Sequence, residues 1–243
     1  CNTYVRIVNV VFEGWLRSTF IDGNTELLEM TGNTVLDGSH GLHYIKYEGT
    51  DLANYDRHWD IKDAIFLDNK ITATPDVHDR LVGIDCPHRI TGMCTVKRNS
   101  FFNFRGITNV AYVGVIVVGH ERYADAGTIT VSNNRIEGVS RVDAINNRSD
   151  DLGYCIRAIC KKVTVLNNKI VNCTEAIPIY CKGTSCTVKY NYIKDHNYRG
   201  ISIKRTNTNN GNYATTVHPE DDTRFIEISD IFNSVRQKVS VIE

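Results

Sequence analysis

A short pattern recurs along this chain in one fixed register. Its first full copy has apolar residues at Leu28 and Met30, an asparagine at Asn33 and another apolar residue at Val35. Apolar residues at alternating positions predict a strand with one buried face, and the shift of the pattern after the asparagine predicts a bend. A unit that repeats in this way is typical of stacked coils. The asparagines of the five further copies are Asn69, Asn99, Asn134, Asn168 and Asn191.

Asparagine suits such a bend, because it tolerates the left-handed backbone conformation and its amide can hydrogen-bond nearby backbone groups. Stacking would align these residues in one column, so the pattern predicts an asparagine ladder. Degenerate copies at 5–12 and 226–231 have an apolar residue in place of the asparagine. They bring the expected number of coils to about eight.

A further short strand, often introduced by glycine, follows each bend. Aligning these strands on their glycines predicts that Val117 and Ile177 face inward and that Cys160 and Cys181 stack on adjacent coils. The outward column is then expected to hold His43, Asp85, Ile116, Arg157, Pro178 and Ser202, and a second, apolar column Ile45, Pro87, Val118, Ile159, Tyr180 and Lys204.

Three strands per coil predict an all-β fold, a right-handed single-stranded parallel β-helix that forms one domain over 1–243. A β-sandwich would need hairpin turns and antiparallel alternation, which the common register does not favour. The chain starts at Cys1 rather than Met, and 239–242 reads as a strand without a closing element. Because solenoids need capped ends, we expect a fragment of a longer chain.

The segments TVSNNRIEGV, TVLNNKIVNC and TVKYNYIKDH resemble the repeats of the pectate-lyase-like superfamily of right-handed β-helices. That superfamily includes pectate lyases, polygalacturonases, uronate epimerases, bacteriophage tailspikes and non-catalytic surface proteins, so the resemblance implies the fold more specifically than the activity. It is strongest for a tailspike or polysaccharide depolymerase fragment, which implies an extracellular or virion-associated (tail) location. Tailspikes of this fold are trimeric, so the apolar outward column implies either a homotrimer or coverage by the chain's own loops.

In that superfamily the ligand groove usually runs along the strand after the asparagine bend. Aromatic rings and carboxylates, which bind the apolar faces and hydroxyls of sugars, cluster beside this strand. The first hypothesis is hydrolysis of a polysaccharide, in which Asp85 pairs with a loop carboxylate as acid and base or nucleophile. The loop candidates are Glu121, Asp143 and Asp151. The residues expected to bind substrate are His43, Trp59, His120, Tyr123, Arg157, Tyr180 and Lys204.

Two alternatives remain open. In a uronate lyase or epimerase, Arg157, Lys204 or His43 would remove the proton next to a carboxyl group. A lyase could use Ca²⁺, although the acidic cluster of pectate lyases is not found on this face, and the polygalacturonase pattern is missing because Gly119-His120 is not followed by glycine. A non-catalytic solenoid, such as an adhesin or a structural part of a virion fibre, would hold the glycan without cutting it.

Charge and cysteine spacing narrow the list of partners. The 28 basic and 28 acidic residues cancel, which argues against nucleic acid as a partner. No apolar run reaches the roughly 18 residues of a membrane span, so insertion into a membrane is not expected. The eight cysteines lack the CxxC spacing of zinc sites, so we expect core thiols and no metal. A polysaccharide remains the expected partner.

Overall fold

The computed structural model describes residues 3–14, 23–38, 40–43, 60–74, 80–105, 112–120, 124–140, 153–174, 176–196, 201–205, 215–219 and 226–230. Within these ranges the chain forms 22 strands and no helix. The described part accordingly has no helix that could cross a membrane. The prediction of an all-β fold is confirmed.

The strands form three stacks, which we call sheets A, B and C. Sheet A contains β1 (Tyr4–Val8), β3 (Thr25–Thr31), β6 (Asp60–Leu67), β10 (Met93–Lys97), β13 (Thr128–Ser132), β16 (Lys162–Leu166), β19 (Ser185–His196) and β21 (Thr215–Pro219), with the short β9 (Arg89–Ile90) beside β6. Sheet B contains β2 (Val11–Glu13), β4 (Thr34–Gly38), β7 (Lys70–Ala73), β11 (Ser100–Arg105), β14 (Arg135–Ser140), β17 (Lys169–Thr174) and the second half of β19. Sheet C contains β5 (His40–His43), β8 (Arg80–Cys86), β12 (Tyr112–Val118), β15 (Gly153–Ile159), β18 (Ala176–Gly183), β20 (Ile201–Arg205) and β22 (Ile226–Asp230).

The chain passes through the sheets in the order A, B, C and then repeats this order. Each strand pairs with the strand of the same sheet in the next repeat, and the pairings between described strands are parallel, as between β10 and β13 and between β12 and β15. This arrangement is compatible with a parallel β-helix and not with the antiparallel β-sandwich alternative.

An asparagine ladder joins the repeats at the bend between sheets A and B. Asn69 donates from its side-chain amide to Met30 O at 2.9 Å and to Asn99 Oδ1 at 2.8 Å, and Asn99 continues the pattern to Asn134 Oδ1 at 3.0 Å. Val10 holds the ladder position in the first repeat, and its N–H donates to Asn33 Oδ1 at 3.0 Å. The predicted ladder is therefore present from Asn33 to Asn191.

The bend itself is made by the residue before the ladder asparagine. The expectation that the ladder asparagine adopts the left-handed conformation is wrong, because the positive φ belongs to the preceding residue. The side chain of the ladder asparagine is directed into the interior, where it is buried. The left-handed residues at this bend are Asn9, Gly32, Asp68, Arg98, Asn133, Asn167 and Tyr190.

One continuous apolar core lies between the three sheets. Its largest side chains include Phe66, Phe101 and Phe104, all fully buried, and Phe101 meets Phe104 edge-on with ring centroids 6.2 Å apart. Burying one such side chain contributes about 1.5–3 kcal/mol. The periodic apolar positions of the sequence thus supply the interior, as predicted.

The register predicted for sheet C is wrong in β12 and β18. Ile116 pairs with Ile84 and Ile156, so Ile116 lies in the core, and Val117 takes its place in the outward column. Gly114 pairs with Val82 and not with Gly83. A Cβ on Gly83 would collide with the carbonyl oxygen of Val115 and the Phe101 ring. A slip of one residue exchanges the two faces of a strand.

In β18 the corresponding errors concern Ile177, Pro178 and Cys181. Arg157 pairs with Tyr180 rather than with Pro178, and Ile177 lies outside the main core. Ala158, not Cys160, pairs with Cys181, so the two cysteines do not stack in one column. The seven described cysteines are buried, as expected for most of them.

Candidate functional site

The outer face of sheet C is the surface on which the sequence predicted a groove. Its central column runs through His43, Asp85, Val117, Arg157, Tyr180 and Ser202 in register. Asp85, Val117 and Tyr180 are at most 3% exposed, and only Arg157 of β15 reaches intermediate exposure. The described part of this face is therefore covered rather than open.

A second apolar cluster forms part of this cover. Ala124, which follows β12, packs with Tyr154, Ile159, Ile177 and Tyr180. The rings of Tyr154 and Tyr180 lie 5.3 Å apart at 58°. Because Ile159 is covered by the chain itself and Val118 faces the core, neither residue supplies the exposed apolar column from which a trimer was inferred.

Two predicted substrate-binding residues come together on this face. Arg157 and Tyr180 are register partners in β15 and β18, and the Arg157 guanidinium carbon lies 5.8 Å from the Tyr154 ring centroid. This cation–π contact holds the guanidinium against the aromatic pair. The role of both residues in binding stays a prediction.

Asp85 lies on the outer face, because its neighbours Ile84 and Cys86 belong to the core and side chains alternate along a strand. It is 0% exposed. His43 pairs with Asp85 one repeat below, as predicted. Val117 separates Asp85 from Arg157, so their strands lie about 10 Å apart.

The remaining predicted site residues are placed as follows. His120 comes directly after the left-handed Gly119 and has intermediate exposure, and Lys204 lies in β20 of sheet C. The loop carboxylates Glu121, Asp143 and Asp151 and the aromatic residues Trp59 and Tyr123 lie outside the described residues.

An open groove lies instead on the outer face of sheet B, where no site was predicted. Its volume is about 410 Å³. Thr72, Phe102 and Glu137, which are register partners on β7, β11 and β14, form one column along it. The lining residues are Lys70, Thr72, Phe102, Asn103, Arg105, Glu137, Gly138 and Asn172.

A second stack of left-handed residues shapes this groove. Asn103, Gly138 and Asn172 have φ values of 63°, 75° and 56° at equivalent positions of β11, β14 and β17. Each kinks its strand, so the buried residues before and after it are three positions apart, as Phe101 and Phe104 are. This spacing of three, in place of two, is the sequence signal that could have revealed the groove.

Contacts between neighbouring side chains position the charged and aromatic groups at this groove. Arg135 donates from Nη2 to Glu137 Oε2 at 2.6 Å, and its guanidinium carbon lies 5.4 Å from the Phe102 ring centroid. Arg105 lies beside Gly138, where a Cβ would be 3.5 Å from the guanidinium. Aromatic, cationic, carboxylate and amide groups thus share one accessible surface.

This surface carries an excess of positive charge although the whole chain is neutral. The strands β7, β11, β14 and β17 contribute one carboxylate, Glu137. Their cations are Lys70, Arg105, Arg135 and Lys169, all exposed. A surface of this charge attracts anions.

No known protein-family model, curated protein or solved structure matches this chain. In the described part of the chain, no three His, Cys, Asp or Glu side chains cluster in a way that could hold a metal ion.

Proposed function

We propose that this chain is a right-handed parallel β-helix of about eight coils that binds a polysaccharide along the outer face of sheet B. One observation carries the proposal: Phe102, Arg105 and Glu137 line one groove of about 410 Å³. An aromatic ring can cover the apolar face of a sugar, while Arg and carboxylate groups hydrogen-bond its hydroxyls.

The repetition of the groove favours a polymer as the ligand. Successive coils present equivalent positions about 4.8 Å apart. Lys70, Arg135 and Lys169 share one such column, so an extended chain can meet cations along several coils. Asn103 and Asn172 add exposed amides at equivalent positions on one side. A small ligand would use only a part of this surface.

The excess of cations favours an acidic polysaccharide. Lys70 and Arg105 line the groove, and Arg135 and Lys169 continue the positive charge along the face. Cations at such positions can bind uronate carboxylates or sulfates through charge-assisted hydrogen bonds. Because exposed charges are screened by salt, the affinity should fall as the ionic strength rises.

The groove on sheet B supports binding of a polysaccharide without its cleavage. Hydrolysis of a glycosidic bond needs two carboxyl groups on either side of the bond. Glu137 is the carboxylate among the described lining residues, and its partner is Arg135. A binding module or adhesin is therefore favoured at sheet B.

Hydrolysis at sheet C is the second candidate, and the burial of Asp85 favours it. Asp85 is 0% exposed on the outer face of sheet C, and buried ionisable groups are concentrated at functional sites. Arg157 and Tyr180 continue the same column and would contact the sugar. Movement of the covering residues would be needed to admit substrate.

Binding to polygalacturonate, alginate and neutral dextran tests the proposal at low and high salt. We expect the acidic polymers to bind and the K70Q/R105Q double variant to lose about tenfold or more in affinity, equivalent to about 1.4 kcal/mol. The matched control is Lys162→Gln, which removes an exposed cation from sheet A. Equal binding by the double variant and the parent would refute the site.

The same incubations separate binding from cleavage. New reducing ends without unsaturated-uronate absorbance would support hydrolysis, and the Asp85→Asn variant should then abolish them without loss of affinity. Both signals together would support a lyase. Bound polymer without either product is the result expected from the groove on sheet B.

A further inference from the structure

Two thiols are in direct contact inside the core. Cys155 Sγ on β15 lies 3.0 Å from Cys173 Sγ on β17, and both residues are 0% exposed. Non-bonded carbon atoms keep about 3.5–4.0 Å apart, and sulfur is larger. The two sulfur atoms are therefore closer than ordinary packing would place them, and a shift of about 1 Å would bring them to the length of a disulfide bond.

The two cysteines of this pair lie in different sheets of the fold. From Cys155 in sheet C the chain runs through β16 in sheet A and β17 in sheet B before it reaches Cys173, 18 positions later. Cys173 Sγ also lies 3.6 Å from the carbonyl oxygen of Ala176, the first residue of the next strand of sheet C. A bond between the two sulfur atoms would close one complete coil into a covalent ring.

Cys160, which directly follows β15, differs from this pair. Cys160 Sγ donates to the carbonyl oxygen of Ala126 at 2.7 Å, and Cys160 is not in register with Cys181. The thiol of Cys160 is thus used in a contact with the backbone. The contact between Cys155 and Cys173 is made between the two sulfur atoms themselves.

We propose that Cys155 and Cys173 form a disulfide that links sheet C to sheet B and closes this coil. The bond restricts the unfolded chain, which is the main source of disulfide stabilisation in the loop-entropy model. It is consistent with a protein that works in an oxidising, extracellular setting. It does not depend on the proposed binding of polysaccharide.

The bond forms while the coil is still open. Burial raises the pKa of the Cys155 thiol well above its ordinary range, and contact with Cys173 raises it further, so the folded protein holds little of the reactive thiolate. During folding, one cysteine thiolate attacks a small disulfide such as oxidised glutathione and releases one glutathione thiolate. The second cysteine thiolate attacks the mixed disulfide and releases the other. The two protons lost by the cysteines end on the two glutathione molecules.

Folding the full chain in oxidised and in reduced glutathione tests the proposal. Each product is denatured, its free thiols are alkylated, and the chain is measured as an intact mass and as proteolytic peptides. After oxidising folding we expect two fewer alkylated cysteines and a peptide pair joined through Cys155 and Cys173. Alkylation of all eight cysteines, or a different pair of joined peptides, would overturn the proposal.

Denaturation provides a second readout. Oxidising folding should shift the urea midpoint of the parent upward relative to reducing folding. The Cys155→Ala variant should lose this shift, and the Cys86→Ala variant, which truncates another fully buried cysteine of sheet C, should keep it. If Cys155→Ala does not fold, the mass measurement on the parent still decides. A shift retained by Cys155→Ala would contradict the proposal.

Discussion

Each asparagine of the ladder satisfies polar groups of its neighbours in two coils. Asn99 Oδ1 accepts hydrogen bonds from the backbone N–H and the side-chain amide of Asn69 at 2.9 Å and 2.8 Å. Its own amide donates to Phe66 O at 2.9 Å. Because all of these groups are buried, the amide of a single side chain provides several donors and acceptors in the core with a hydrogen-bond partner.

The Asn99→Ala substitution should therefore lower the free energy of unfolding by at least about 2 kcal/mol, since each buried polar group left without a partner costs roughly 1–3 kcal/mol. Urea denaturation of the full chain measures the change. Asn24→Ala is the matched control, because Asn24 is exposed and accepts one exposed hydrogen bond from Asp60 N. Equal effects of the two substitutions would show that the ladder contributes no special stability.

At the scale of elements, the bends of adjacent coils are joined by side chains as well as by backbone. Asp68 and Arg98 occupy equivalent left-handed positions after β6 and β10. The Arg98 guanidinium donates to both carboxylate oxygens of Asp68 at 2.7 Å. These hydrogen bonds hold the pKa of Asp68 below its ordinary value of 3.8.

The Arg98→Gln substitution should raise the pKa of Asp68, measured by NMR titration of its side chain. A lowered folded-state pKa contributes stability above the unfolded pKa, and this contribution is lost as the pH falls through the folded value. The destabilisation should thus be present at pH 7 and vanish in strong acid. About half of each side chain is exposed to solvent, so we expect the destabilisation to be small. An unchanged pKa would contradict this assignment.

At the scale of the whole molecule, protection should vary from coil to coil. Strand β12 is paired on both sides, with β8 and β15, and Val113–Val118 is buried throughout. Strand β1 is paired with β3, and its residues alternate between exposed and half-buried. Where each strand pairs with the strands of the adjacent repeats, a strand paired on one side opens with less free energy than one paired on both sides.

Amide hydrogen exchange read by mass spectrometry should therefore be slower in β12 than in β1 by a factor on the order of 1,000 or more. Peptides that cover Tyr112–Val118 and Tyr4–Val8 report the two elements. Strand β13, in the centre of sheet A, serves as a control and should resemble β12. Uniform exchange along the stack would mean that the protein opens as one cooperative unit.

The local pattern of the sequence was enough to predict most of sheets A and B and the ladder between them. Leu28, Met30 and Asn33 show why: apolar alternation marks the buried face of a strand, and a buried asparagine needs the partners that a stack provides. The copy of the pattern expected at 226–231 is wrong, because β22 (Ile226–Asp230) pairs with β20 in sheet C. The same local information misplaced Ile116, because two apolar residues in succession fit either register of a strand buried on both faces.

Tertiary structure alone decided the features on which the proposals depend. Three features depend on residues from different repeats or sheets. They are the groove at Phe102 and Glu137, the contact of Cys155 with Cys173 and the burial of Asp85. Each of them follows from the way strands of separate repeats pair and pack, which a pattern within one repeat does not encode. The sequence by itself determined the repeat, because a period is a local property. The tertiary structure decided the surface, because it forms only where separate repeats meet.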